Sequence, residues 1–238
     1  MRLDKLLANK AFGSRKEVHQ IIRDGRVTVN GAVILKKDQS IDIDDIIAVD
    51  GVQISTKQQY YIKFHKPAGY ITAVEDPTHP VVMDLLPPEF KKMGVFPVGR
   101  LDKDTEGLLL LTNDGIWAHS IINGHKHVPK VYYVEFNGKL TKEGLERIET
   151  GIVLGDGTQC KPANIDVLSE QSLHITIEEG KYHQVKRMIG AAGGEVTYLK
   201  RLSIGHITLN GIEAINTYSE IDDQDVVDFK NSMKIYSI

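Results

Sequence analysis

Residues 99–115 read Gly99-Arg100-Leu101-Asp102-Lys103-Asp104-Thr105-Glu106-Gly107-Leu108-Leu109-Leu110-Leu111-Thr112-Asn113-Asp114-Gly115. Three acids and two bases are packed between Gly99 and Gly107 and run directly into four leucines. A short apolar run bounded by turn residues reads as a buried strand, here Leu108 to Thr112. Asn113-Asp114-Gly115 is a turn signal that ends it. A charged loop at the mouth of a sheet is where catalytic side chains are often carried. Spacing alone equally allows a solvated connection. Asp102-x-Asp104 also has the form of a carboxylate pair that holds a divalent cation.

On either side of this strand the chain alternates strands and helices. Tyr61 to Phe64 reads as a strand, as does the β-branched and aromatic run Lys130 to Phe136. Leu173, Ile175 and Ile177 alternate as on a half-buried strand, and Val196–Leu199 and Ile204–Leu209 read as two more. Ile116 to Ile122 is expected to be helical, with Trp117 in the core. Thr141 to Thr150 is a helix capped by Thr141 and stopped by Gly151. Val185, Met188, Ile189 and Ala192 recur at helical spacing before Gly193-Gly194. This mixture predicts an α+β fold with a mainly antiparallel mixed sheet flanked by helices.

The first 35 residues form a different unit. Leu3, Leu6 and Leu7 predict a short helix ended by Phe12-Gly13. Ser14 with Glu17 forms a capping box for a second helix, which buries Val18, Ile21 and Ile22 and closes at Gly25. Val27 to Ile34 reads as a hairpin with Asn30-Gly31 as its type I′ turn. Two helices and a hairpin make too small a core to be very stable alone. The polar stretch Ser55 to Gln59 reads as a linker, which sets the expected domains at 1–55 and 60–238.

The whole chain of 238 residues carries a net charge of −3, which taken alone argues against a nucleic-acid partner. The average conceals a gradient. Residues 1–40 hold nine Lys/Arg against four acids, a local balance of +5. Asp42, Asp44, Asp45 and Asp50 follow with no base among residues 41–50, and the tail from Ser219 to Phe229 holds five acids and no base. Such asymmetry is a prior for nucleic acid. Cys160, the single cysteine, has no internal disulfide partner, so a reducing cytoplasm is expected. No apolar run approaches the ~20 residues of a membrane span, and no signal peptide is expected.

A second charged segment runs Glu179-Gly180-Lys181-Tyr182-His183-Gln184-Val185-Lys186-Arg187-Met188. With Lys200 and Arg201, residues 179–201 hold five bases against Glu179 and Glu195, either a cationic shelf for phosphate or carboxylate or the solvated start of a helix. There is no P-loop, no G-x-G-x-x-G and no Cys-x-x-Cys. His125-Lys126-His127 reads as solvent-exposed rather than metal-binding, and Cys160 as packing rather than nucleophile.

Taken together, Gly99-Arg100-Leu101-Asp102, Thr105-x-Gly107 and the strand to Gly115 resemble the signature of RNA pseudouridine synthases, in the branch that modifies ribosomal RNA. Lys66-Pro67-Ala68-Gly69-Tyr70, Lys130-x-Tyr132 and Glu179 to Met188 match further motifs in the family's order, with His65 standing where relatives often carry Asn. The front unit resembles the alpha-L RNA-binding domain named after a small-subunit ribosomal protein. The resemblance implies a uridine isomerase that detaches a flipped base, rotates it and rejoins it through carbon 5, with no cofactor and no metal. It assigns Asp102, Tyr132 and Lys186 to catalysis, with Lys186 or Arg187 facing Asp102. Arg100, Arg187 and Ile204 would bind substrate, and Arg15, Lys16, Arg23 and Arg26 would bind RNA. The match is best to synthases acting on 16S small-subunit RNA, as free RNA or as an assembling particle, by a cytoplasmic monomer with no membrane partner. The alternatives are a 23S large-subunit synthase, a metal-dependent nucleotidyl or glycosyl transferase using Asp102-x-Asp104, and a non-enzymatic nucleic-acid-binding protein.

Overall fold

The computed structural model describes residues 1–10, 12–123 and 128–235. His125-Lys126-His127 lies outside the described residues. The chain divides into two compact units, Met1–Tyr60 with Leu86–Val95, and Tyr61–Leu85 with Phe96–Ile238.

In the first unit, α1 (Leu3–Asn9) and α2 (Arg15–Arg23) precede β1 (Val27–Val29) and β2 (Ala32–Val33). The capping box at Ser14 and Glu17 is present in full. Asn30 and Gly31 both have positive φ, as a type I′ turn requires. A second hairpin, β3 (Ile47–Val49) and β4 (Val52–Ile54), turns at Asp50-Gly51 in the same way and gives the sheet order β2-β1-β3-β4. Here sequence reasoning registers the acids and misses the alternation around them. Leu3, Leu6, Leu7, Val18, Ile22, Val27, Ile41, Ile47 and Val49 form one core. The short helix α3 (Pro88–Lys92) belongs to this unit.

The second unit is built on β5 (Tyr61–Lys66), β6 (Phe96–Val98), β7 (Glu106–Thr112), β8 (Lys130–Gly138), β9 (Asn164–Ser169), β10 (Ser172–Ile177), β11 (Gly194–Ile204), β12 (Ile207–Thr208) and β13 (Tyr218–Glu220). Its strand order is β13-β5-β7-β11-β8-β10-β9, with β12 on β11 and β6 on β7. Among these strands every pairing is antiparallel except β7 with β11. The helices are α4 (Gly115–Ile122), α5 (Lys142–Thr150), α6 (Gln184–Ala191) and α7 (Asp223–Ile235). No helix among the described residues is long and apolar enough to cross a membrane.

Three local readings change. Val196–Leu199 is the middle of a longer strand, β11, which runs on through the polar stretch to Ile204 with register shifts at Val196/Tyr198 and Arg201/Ser203, while Ile204–Leu209 divides between the end of β11 and the short antiparallel strand β12. Backbone pairing with β8 carries the strand where side-chain pattern signals a break. Asn113-Asp114-Gly115 is less a free turn than a helix start, since Asp114 caps α4 by accepting from the Ile116 and Trp117 amides. The acidic tail is helical as α7, and its Phe229 packs on Trp117.

The parallel pair has a steric condition. Gly107 lies opposite Arg201 with φ +105°, and a Cβ there would stand 2.2 Å from the Arg201 carbonyl oxygen. Only glycine lets β7 approach β11 so closely. Gly107→Ala is therefore expected to cost roughly 2–3 kcal/mol, about 5–10 °C in Tm. A Tm within about 1 °C of wild type would refute the constraint.

Candidate active site

The 99–107 loop is fastened from below. Lys66, the last residue of β5, is fully buried, and its Nζ donates to the carbonyls of Thr105 (2.8 Å), Pro67 (3.0 Å), Asp102 (3.1 Å) and Lys103 (3.4 Å). A buried ammonium is tolerable only when hydrogen-bonded in this way. The Gly69 amide donates to the Lys103 carbonyl, and the Thr72 hydroxyl both donates to the Leu101 carbonyl and accepts from the Leu101 amide. The loop backbone is thus held on both sides of Asp102, whose side chain stays partly open to solvent.

From the other side comes α6. Its first turn rests on a buried polar chain: Gln184 Oε1 accepts from the Lys181 amide, Gln184 Nε2 donates to Glu179, and Glu179 accepts from the Lys161 amide. His183 takes the left-handed conformation at φ 47°. This start places Lys186 Nζ 3.2 Å from Asp102 Oδ2 and 2.5 Å from Asp104 Oδ1, and His183 Nε2 3.5 Å from Asp102 Oδ1. Arg187 turns away and pairs with Asp156 at 2.5 Å. The choice left open between Lys186 and Arg187 falls to Lys186. Burial alone would raise the Asp104 carboxyl, but the Lys186 hydrogen bond and charge outweigh it and hold the group below the usual range. Burial pulls Lys186 down while Asp104 and Asp102 more than compensate, so its ammonium binds its proton more tightly than usual. The Asp102-x-Asp104 pair therefore faces a lysine of its own chain.

One strand pairing further in, Tyr132 on β8 sits opposite Arg201 on β11. Tyr132 is 8% exposed, with its hydroxyl 3.4 Å from Arg201 Nη1. Arg201 is 3% exposed and donates from Nε to the Leu108 carbonyl at 2.7 Å. Ile204 is 1% exposed and packs within the core of Leu108, Leu110 and Trp117. Arg100 is exposed beside the loop. In the first unit Arg15, Lys16 and Arg23 are exposed on or at the ends of α2, whereas Arg26 is engaged by Asp50 through two hydrogen bonds.

Known proteins share this arrangement of domains. A family model described as RNA pseudouridylate synthase matches residues 60–191, and one described as S4 domain matches residues 1–47. The chain belongs to the RNA pseudouridine synthases. It is 42% identical over 231 residues to the Bacillus subtilis (strain 168) RNA pseudouridine synthase YtzG, covering 95% of this chain and 97% of that one. It is 35% identical to ribosomal small subunit pseudouridine synthase A of Escherichia coli (strain K12), covering 95% and 98%. A crystal structure of a pseudouridylate synthase aligns over 96% of this chain and 99% of its own, with a TM-score of 0.67 and 29% identity. The enzyme is an RNA pseudouridine synthase with an RNA-binding S4 domain at its front.

Sequence reasoning about the synthase misses three things at the site. Lys66 is visible in its motif, but its role as an internal anchor needs the fold. Four of the five shelf bases are already engaged: Lys181 pairs with Glu179, Lys186 with the Asp102 and Asp104 carboxylates, Arg187 with Asp156, and Arg201 points inward. Tyr182, 76% exposed and stacked on His183 at 3.8 Å, forms an aromatic rim beside Asp102.

Burial gives the synthase a testable pH response. It lowers both Lys66 and Lys130 to about 8, well below the ordinary 10.5. Above pH 8 the unfolded chain therefore holds protons that the folded chain has released, and stability rises with pH. The slope weakens above about pH 9 and reverses near pH 10, because burial raises the Cys160 thiol and the Tyr61 and Tyr198 phenols above their unfolded values. Denaturant melts from pH 7.5 to 9 should show an increase on the order of 1 kcal/mol per lysine, roughly halved in Lys66→Met. A fall in stability across this window would contradict the buried-ammonium description.

Proposed function

We propose that this synthase converts a specific uridine of small-subunit ribosomal RNA to pseudouridine, using Asp102 as its catalytic carboxylate. The observation that carries this reading is the Asp102–Lys186 pair at 3.2 Å, with Asp102 partly open and backed by the Lys66 anchor. The small-subunit target is supported by full-length relatives named ribosomal small subunit pseudouridine synthase A, at 34% identity in Pasteurella multocida and 35% in Escherichia coli.

A stacked nucleotide hides its glycosidic bond, so the target uridine must be flipped, at a cost of a few kcal/mol. Asp102 then faces the glycosidic carbon or the uracil ring. Lys186 aims the carboxylate, as a single point charge where an arginine would grip with two hydrogen bonds. Tyr132 meets the base from the sheet side. Arg100 is placed to hold a phosphate or to fill the gap left in the RNA. The reaction breaks and remakes bonds within one nucleotide without net oxidation, so its balance calls for no cofactor. Arg15, Lys16 and Arg23 supply phosphate contacts from the S4 domain, with Arg26 secondary because Asp50 already occupies it. The enzyme works as a monomer in the cytoplasm, on free RNA or an assembling particle.

Asp102→Asn should abolish pseudouridine formation while leaving the melting curve and RNA affinity nearly unchanged. Wild-type turnover in that variant would sink the mechanism. Carbodiimide mapping of ribosomal RNA from cells lacking the protein should show one lost site in the small subunit. A site lost from the large subunit instead would reassign the target.

Replacing Arg15, Lys16 and Arg23 together by Ala should weaken RNA binding and flatten the dependence of log K on log salt by about 0.7–0.9 per lost contact. An unchanged slope would remove the S4 residues from the interface.

A further inference from the structure

Two cations on the strands that carry Tyr132 and its partner are not used by the mechanism so far. Arg201 is 3% exposed, yet its Nη2 has no hydrogen-bond partner among the described residues. Its other donors go to the Leu108 carbonyl and, at 3.4 Å, the Tyr132 hydroxyl. Lys130, two residues before Tyr132 on the same strand, donates to the Val128 carbonyl at 3.0 Å. Neither cation has a carboxylate within 4 Å among the described residues, whereas Lys186, Arg187 and Lys181 all do. Arg201 is buried and Lys130 half-buried; a cation taken from water without a counter-charge is costly, and a buried donor without an acceptor costs a further ~1–3 kcal/mol. Close packing does not explain why this fold keeps both around one tyrosine.

The chemistry of the proposed reaction supplies an anion at this place. When the C1′–N1 bond breaks, its electron pair stays with N1, and the negative charge spreads over the ring to the O2 and O4 carbonyl oxygens. The carbon left behind, C1′, becomes electron-poor and faces Asp102. The new bond then forms from the ring's C5 electron pair to C1′, the C5 proton leaves to solvent and N1 takes one up, so the isomerisation is proton-neutral. Between the two bond changes the detached uracil is an anion, and it must be held without being lost. Resting on the reading above, we propose that Arg201, through its free Nη2 and assisted by Lys130, receives a carbonyl oxygen of the detached uracil ring and stabilises its negative charge. Tyr132, pinned at its hydroxyl by the same guanidinium, keeps the ring against that donor while it rotates. Donors preorganised for charge that appears only during reaction act on kcat rather than on binding, and losing one costs about 10²–10³ in rate.

The test compares uridine with 5-fluorouridine at the target position of an RNA fragment, scored as single-turnover loss of the N-glycoside. Fluorine makes the ring a better-stabilised anion in its own right, so it lessens the need for the donor. Arg201→Met should be about 100-fold or more slower on uridine, with RNA Kd within about threefold of wild type, and its deficit should shrink at least about fivefold on 5-fluorouridine. Equal deficits on the two substrates, or a deficit that lies in Kd, would overturn the proposal and leave Arg201 as a positioning residue for Tyr132. If Arg201→Met does not give the wild-type circular dichroism spectrum, Lys130→Met carries the same comparison, supporting or overturning the proposal on the same grounds. A wild-type enzyme that forms pseudouridine alongside an inactive Asp102→Asn keeps the underlying reading intact whichever way this result falls.

Discussion

Lys66 puts an ammonium where water does not reach, and the carbonyls of Asp102, Lys103 and Thr105 turn inward to meet it. That one arrangement reverses the usual behaviour of a charged loop. Left to solvent, residues 99–107 would be a mobile connection between two strands. Anchored on a buried cation, latched by Gly69 and Thr72, and continued into a strand that only Gly107 lets approach β11, the loop presents a fixed carboxylate. The side chain is then as well placed as if it stood on the sheet itself, which is what a reaction needing sub-ångström placement demands.

The charges around this loop sort by layer. Lys186 and His183 reach Asp102 from the solvent side and lie in view of an incoming RNA. Lys66 holds the backbone from within, and Arg201 with Lys130 lies beside Tyr132 on the sheet. Acids also gather at residues 41–50, in the first unit, and along the tail that forms α7.

How much of this is legible in the sequence depends on whether the signal is local. The capping box at Ser14, the type I′ turn at Asn30-Gly31, the Thr141 cap and the leucine strand are all decided within a few residues, and each appears in the fold as the sequence predicts. The long strand β11 reads as ending at Leu199 in the sequence because Lys200-Arg201-Leu202-Ser203 breaks the apolar alternation, and its continuation to Ile204 comes from partners on β8, far away along the chain. Asp102 and Lys186 are picked out by a family resemblance. Their pairing, and the turning away of Arg187, depend on the left-handed residue at His183 and on the buried Glu179–Gln184 contact. Arg201 counts toward a surface shelf in the sequence because sequence alone cannot tell an arginine that faces solvent from one that faces a tyrosine.

The Asp102–Lys186 pair is the centre on which the functional reading turns, and Lys186 tests it without deleting the carboxylate. Single-turnover pseudouridine formation on a small-subunit ribosomal RNA fragment should fall at least about 100-fold in Lys186→Met, with RNA affinity within a few-fold of wild type, and Lys186→Arg should recover most of the loss. A Lys186→Met enzyme that turns over at the wild-type rate would show that the pair is not the reaction centre.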